Sequence, residues 1–286
     1  MWSIPPFVSG LITVPSSVRK GLVSRSPVST GPAGAAQPRQ RNPQNLSDLA
    51  YEKLEALLIN CELRPGRFLA MHELQALTGY GRTPVHQAVS RLAADTLMIV
   101  TPRHGIRIAP IDLGRERVLL RLRRDVERFV IQLATERSGA SERNQMLHLK
   151  RQLLELGPDT QIGQFNVIDR RIDQLFLAAA NEPFVESTLR PLHTIFRRIG
   201  WIYHMQAAHS APLQRSVDGH VAVLDAVASG DVPAAMATSD RLMDFMESMF
   251  DVLEHEVAPS LLDCSLEAPD DTFHSGPAWH PAAQPA

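Results

Sequence analysis

The sequence has 286 residues, 44% hydrophobic and 21% charged, enough apolar material to bury one or two globular cores. No run approaches the roughly 18 unbroken apolar residues of a membrane span, and the first residues lack the basic and apolar regions of a secretory leader, so a cytoplasmic protein with no membrane partner is expected. Only Cys61 and Cys264 are present, which argues against a disulfide framework or a cysteine-based zinc site.

The formal net charge of −2 hides a gradient along the chain. Residues 1–45 carry five basic and no acidic side chains, residues 46–110 seven basic and six acidic, and residues 111–286 17 basic and 25 acidic. Phosphate contact needs positive charge at the contact surface, so any meeting with DNA is expected from the N-terminal part. The middle piece is only weakly basic, which limits that argument.

Residues 1–45 are rich in Pro, Ser, Gly and Gln without a sustained period, and are expected to form a disordered arm, either a plain tail or an accessory basic arm on DNA. Ser47 is placed to cap a helix with Ala50, Leu54, Leu57 and Leu58 at helical spacing, ended by the Pro65-Gly66 turn. A short helix over Glu73–Leu77 follows, broken at Gly79-Tyr80-Gly81. Thr83 then offers a capping hydroxyl and Pro84 a first helical position for a second helix through Val85, Ala88, Val89 and Leu92. Leu97–Val100 and Ile106–Ala109 read as a hairpin around Thr101-Pro102-Arg103-His104-Gly105. Helix, helix, turn, helix and two-stranded wing is the order of a winged helix-turn-helix, assigned to residues 46–110.

From Leu113 no strand pattern appears. Helices are predicted near 113–138, 141–156, 161–180, 183–205, 211–229 and 232–256, divided at Ser141, Gly157-Pro158, Pro183, Pro212 and Gly230. The fold class is therefore mostly α: the winged domain, then an all-α bundle of six or seven helices over 111–256, to which the resemblance named below assigns effector binding and dimerisation. Residues 257–286, with five prolines and no period, are expected to be a second disordered tail.

A helix can enter the major groove, where Arg makes bidentate contact with guanine, so the start of the second helix of the pair carries the candidate reading residues Arg82, Thr83 and His86. Arg103, His104 and Gly105 at the wing turn can approach the adjacent groove, with Gly105 offering no side chain to obstruct it, and His72 at the start of the preceding helix is a further candidate contact.

The run Leu63-Arg64-Pro65-Gly66 and then Arg82-Thr83-Pro84-Val85, with Ala88 and Arg91-Leu92, resembles the GntR transcription regulators, whose motif reads "L.PG" followed by "SRTPVREALRRL". Against that pattern Gly81 replaces Ser, His86 and Gln87 replace Arg and Glu, and Ser90 replaces a frequent Arg. The loss of a permanent charge at 86 should weaken a phosphate or guanine contact, although an imidazole still donates a hydrogen bond.

The second domain resembles the sensing domain of the fatty-acid-regulator (FCD) branch, in its vanillate-regulator-like variant, through Arg123-x-x-x-Glu127, Asp169, Glu182-Pro183-Phe184 and His220-Val-Ala-Val-Leu-Asp-Ala. The resemblance implies a homodimer on palindromic operator DNA, most naturally a repressor, controlled by a small organic, sugar or aromatic acid. It also implies a divalent metal held by an Asp and a His four residues on, a His on a later helix, and another about 22 residues further. Here Asp169 and His220 match, Asp173 stands at the second place and Leu242 at the fourth. A site of Asp169, Asp173 and His220 would favour a hard cation such as magnesium, manganese or calcium over zinc; the alternative is no metal, with the carboxylates paired to Arg170 or Arg123 and His220 a pocket residue. Arg123 can receive an effector carboxylate or pair with Glu127 one turn away. His193, His204 and His209 fall on or near helices that could line the cavity and take no assigned role.

Two rivals remain open at this stage. One is a constitutive DNA-binding regulator without sensing. The other, a metal-assisted hydrolase, has no nucleophile motif or phosphate loop behind it, so an enzyme is not expected.

Overall fold

The computed structural model describes residues 43–157, 161–206 and 213–266. The expected N-terminal arm up to residue 42, and His209, lie outside the described residues.

Helix α1 (Pro43–Ile59) turns Ala50, Leu54 and Leu58 inward. It begins before Ser47, which is buried inside the helix and does not cap it. Helix α2 (Met71–Thr78) starts with the Glu73 carboxylate accepting from the Ala70 N–H at 2.6 Å, half of a capping box. Helix α3 (Arg82–Ala94) starts one residue earlier than Thr83 and Pro84 suggested. Gly81 takes the cap position, and Pro84 falls within the first turn, where its missing N–H still costs no helical hydrogen bond. Val85, Ala88, Val89 and Leu92 face the core with Leu54 and Leu74.

The wing pairs β2 (Met98–Thr101) with β3 (Gly105–Ile108), Met98 opposite Ile108. A third strand that the sequence did not announce, β1 (Phe68–Leu69), pairs with the other edge of β3. Two residues are too few for periodicity to register. Gly105 has φ +100°, and a side chain there would meet the Leu69 carbonyl oxygen at 2.8 Å. Glycine is thus required by a close approach within the domain, where the sequence reading looked to the DNA groove.

Six helices follow: α4 (Leu113–Arg137), α5 (Ala140–Leu154), α6 (Ile162–Ala180), α7 (Pro183–Gln206), α8 (Gln214–Ser229) and α9 (Val232–Glu256). Helix α4 lies along α9 and α6, and α8 along α5 and α9. Helix α7 touches α4, α6 and α9 and also reaches α1 of the winged domain. Every residue from Leu192 to Ile199 is buried, so the polar members of that stretch need partners inside the protein.

Residues 257–266 are not the structureless tail expected from their composition. A short helix, α10 (Pro259–Leu262), and a 3₁₀ turn at Cys264–Leu266 return to the winged domain. Ile111 N–H donates to Leu262 at 2.8 Å, Cys264 N–H to Pro65 at 2.9 Å, and Arg107 pairs with Asp263 at 3.0 Å. Gly66, at φ +82°, makes room for that Asp263 carboxylate: a Cβ there would fall 2.0 Å from its Oδ1.

Candidate functional site

Because α3 buries Val85, Ala88, Val89 and Leu92, helical geometry leaves Arg82, Thr83, His86, Gln87 and Ser90 on the opposite face, all exposed. Arg91 is occupied otherwise, paired with Asp48 at 2.6 Å and stacked 4.2 Å over the Tyr51 ring. Arg103 and His104 are exposed at the wing tip, Arg103 with φ +68°, and His72 is exposed on α2. Among the described residues neither Arg82 nor Arg103 is drawn into an ion pair. Free guanidinium groups on a protruding helix start and a wing tip are what a polyanion can take up.

A second site lies inside the helical bundle, a small cavity of about 40 Å³ walled by α6, α7, α8 and α9 with Arg123 of α4. Asp169 and Asp173, one turn apart on α6, both point inward and are buried. Between them stands Arg197 of α7, 8% exposed, its Nε donating to Asp169 at 2.6 Å and its Nη2 to Asp173. The sequence reading had named Arg170 or Arg123 as partners for these carboxylates. Arg170 instead points to Glu55 of α1 at 3.0 Å, and Arg123 to Glu127 at 3.3 Å.

His220 of α8 completes the cluster. Its Nδ1 lies 2.7 Å from the Ser216 carbonyl and its Nε2 2.8 Å from Asp169 Oδ1. Both neighbours are acceptors, an arrangement that favours a proton on each ring nitrogen. Burial works against that charge, but Asp169 and the Ser216 carbonyl outweigh it and hold the His220 pKa above the ordinary value. Burial likewise opposes ionisation of Asp169, yet Arg197 and His220 pull its carboxyl well below the usual range. His193 bridges two acids, with Nε2 3.1 Å from Glu127 and Nδ1 3.1 Å from Asp173. Against its own burial, Glu127 is drawn down to about 2 by His193 and Arg123. Three carboxylates, Glu127, Asp169 and Asp173, thus face the guanidinium groups of Arg123 and Arg197 and the rings of His193 and His220, with burial holding the Asp173 carboxyl above its ordinary value.

Arg123 pairs with Glu127 and also lines the cavity, its guanidinium 5.3 Å over the Phe196 ring. Two lining residues, Arg197 and Asn166, escaped sequence reasoning. Arg197 sits one turn after His193, which the sequence had pointed to without a role, on a helix whose apolar period masked it. Asn166, one turn before Arg170, has an amide nitrogen that is buried without a hydrogen-bond partner. Leu242 lines the cavity where the resemblance called for a histidine. His204 also lines it, its pKa lowered to about 4 by burial, so its ring is neutral.

Residues 46–108 match the family model described as bacterial regulatory proteins of the gntR family, and residues 118–256 match the FCD domain. The chain is a GntR-family regulator with an FCD domain. This regulator is 24% identical over 215 residues to the HTH-type transcriptional repressor RspR of Escherichia coli K12, covering 73% of this chain and 92% of RspR. It is 26% identical over 212 residues to an HTH-type transcriptional regulator in an unstable DNA locus of Streptomyces ambofaciens, covering 71% of this chain and 83% of that one. Its fold resembles that of E. coli McbR/YncC, with a TM-score of 0.64 at 18% identity, over 73% of this chain and 99% of that one. A putative GntR regulator from Rhodococcus sp. RHA1 gives a TM-score of 0.56 at 19% identity, over 74% and 99%. The GntR/FCD regulator is thus a DNA-binding transcription regulator and not an enzyme. No helix among its described residues is long and apolar enough to cross a membrane.

Proposed function

We propose that this GntR/FCD regulator is a cytoplasmic homodimeric repressor that leaves a palindromic operator when a small carboxylic acid fills the bundle cavity. In this reading Arg82, Thr83 and His86 read base edges, and His72, Arg103, His104 and the Gly105 turn hold the backbone. Arg123 and the unpartnered Asn166 amide receive the acid. A repressor rather than an activator is favoured by the likeness to RspR, which bears that name.

What carries the reading is the double attachment of α7. The helix that places His193 and Arg197 at the cavity also gives Thr194 Oγ1 to Glu55 of α1 at 2.6 Å and Arg198 Nη1 to the Ala109 carbonyl at 2.9 Å. Glu55 is 2% exposed, so the winged domain and the sensor share a buried polar contact that a shift of α7 must disturb. A ligand changes DNA affinity only through its different affinity for the two arrangements.

The test is binding of genomic fragments by wild type and Arg82→Ala at two salt concentrations, followed by addition of a panel of carboxylic acids. Arg82→Ala is expected to lose about tenfold in affinity for the best site, as for one bidentate base contact, with two chains bound per operator. Equal affinity of the two proteins at both salts would sink the role of Arg82, and one chain per operator the dimer. No acid able both to raise the melting temperature and to release DNA would leave a constitutive regulator.

A further inference from the structure

We infer that Arg197 stands where the FCD resemblance calls for a divalent cation, so that this cavity works without a metal. The carboxylates of Asp169 and Asp173 and the Nε2 of His220 converge as ligands to one ion would, but the place they converge on belongs to the protein's own guanidinium. An Arg side chain does not give up its proton in a protein, so it cannot make way as a lysine or histidine could. A dication beside it would place like charge against a guanidinium already paired with both carboxylates.

The donor set itself does not fit an ion. His220 is already engaged on both sides, with Nδ1 2.7 Å from the Ser216 carbonyl and Nε2 2.8 Å from Asp169 Oδ1. The fourth place is Leu242, which has no ligand atom. Glu127, Asp173 and His193 also lie close enough together to suggest an ion, but His193 uses opposite ring nitrogens on the two acids, while Arg123 and Arg197 already occupy the same carboxylate oxygens. A ring cannot turn both nitrogens to one ion.

The consequence for the ligand rests on the proposed reading that this cavity is the sensor. An acid entering it is held by hydrogen-bond donors, Arg123 and the Asn166 amide beside the Arg197 platform, and not by coordination. Its binding is therefore indifferent to chelators.

The experiment uses the full chain, purified without metal affinity. Elemental analysis of wild type should find less than about a tenth of an equivalent of any divalent metal, and neither chelator nor added manganese, nickel or zinc should move its melting temperature. Arg197→His removes the guanidinium and supplies an imidazole; it should take up one equivalent of metal, with a rise in melting temperature that is lost again when Asp169→Asn is added. Leu242→His supplies the missing fourth ligand with Arg197 still in place and should remain metal-free. A stoichiometric metal in wild type, metal uptake by Leu242→His alone, or a folded Arg197→His that binds none would each overturn the inference. Should Arg197→His not fold, the first two measurements still decide. Failure of every acid to bind would remove the sensory reading and leave these metal results untouched.

Discussion

Asn166 offers the cleanest single-residue test of the cavity, because its amide nitrogen is buried with no partner. Replacing an unsatisfied buried amide with an apolar group of similar size costs the fold little and can stabilise it by about 1 kcal/mol. Asn166→Leu should therefore keep or raise the melting temperature while weakening an acid ligand by roughly tenfold, the worth of one hydrogen bond to a charged group. Calorimetric titration checks this, and unchanged affinity would remove Asn166 from the site. Glu116 on α4 makes a different point. It is 4% exposed, and burial pushes its carboxyl up to about 8 despite the pull of Arg198 and Arg115. In the unfolded chain it ionises near 4.5, so between those values the native state holds the extra proton. Stability from this group then falls as pH rises from 4.5 toward 8. Glu116→Gln cannot ionise, and its advantage over wild type should grow across that window to the order of 2 kcal/mol. Thermal melts at pH 5 and pH 8 decide it; a difference independent of pH would refute the assignment.

At the scale of elements, α7 is the piece that touches both the winged domain and the bundle cavity. Its buried stretch carries His193 and Arg197 toward the cavity and Thr194 and Arg198 toward the winged domain, and helical geometry ties the two faces together as one rigid body. Arg170 of α6 adds a second strut, reaching Glu55 from between Asp169 and Asp173. Thr194→Val removes the hydroxyl that donates to Glu55 and keeps the shape of the side chain. It should leave acid binding intact but shrink the ratio of operator affinities without and with ligand, a ratio that in such couplings spans about 5- to 150-fold. An unaltered ratio in paired DNA titrations would show that the signal does not pass through this contact. The returning segment at 257–266 matters at the same scale, since Asp263 and Leu262 fasten the end of α9 to the wing and to the start of the linker. Its elements, of four and three residues, are too short for a periodic signal, which is why composition alone assigned it to a tail.

For the whole molecule, the charge gradient and the fold agree. The exposed cations Arg82 and Arg103 sit on the winged domain, whereas the bundle keeps many of its own arginines in ion pairs: Arg117 with Glu247, Asp251 and Glu254, and Arg124 and Arg128 with acids of α9. An acidic bundle behind a cationic reading head favours one orientation on a polyanion. The contacts from α1 to α6 and α7 then make that head part of the same packed body as the sensor.

The sequence by itself determined the elements and the reading face. Apolar residues at helical spacing mark α4 to α9 to within a few residues, and Val85, Ala88 and Leu92 oblige Arg82, Thr83 and His86 to face outward, because local periodicity dictates which side of a helix is buried. The FCD resemblance brought Asp169, Asp173 and His220 together, and the structure sets Asp169 beside His220 and beside the Arg197 that also holds Asp173. What the sequence could not give was the fate of that site. Whether two carboxylates on α6 await a metal or a guanidinium depends on the side chain that α7, 24 residues further along, swings between them. Only the packing of four helices, through contacts with no local periodicity to announce them, set Arg197 there.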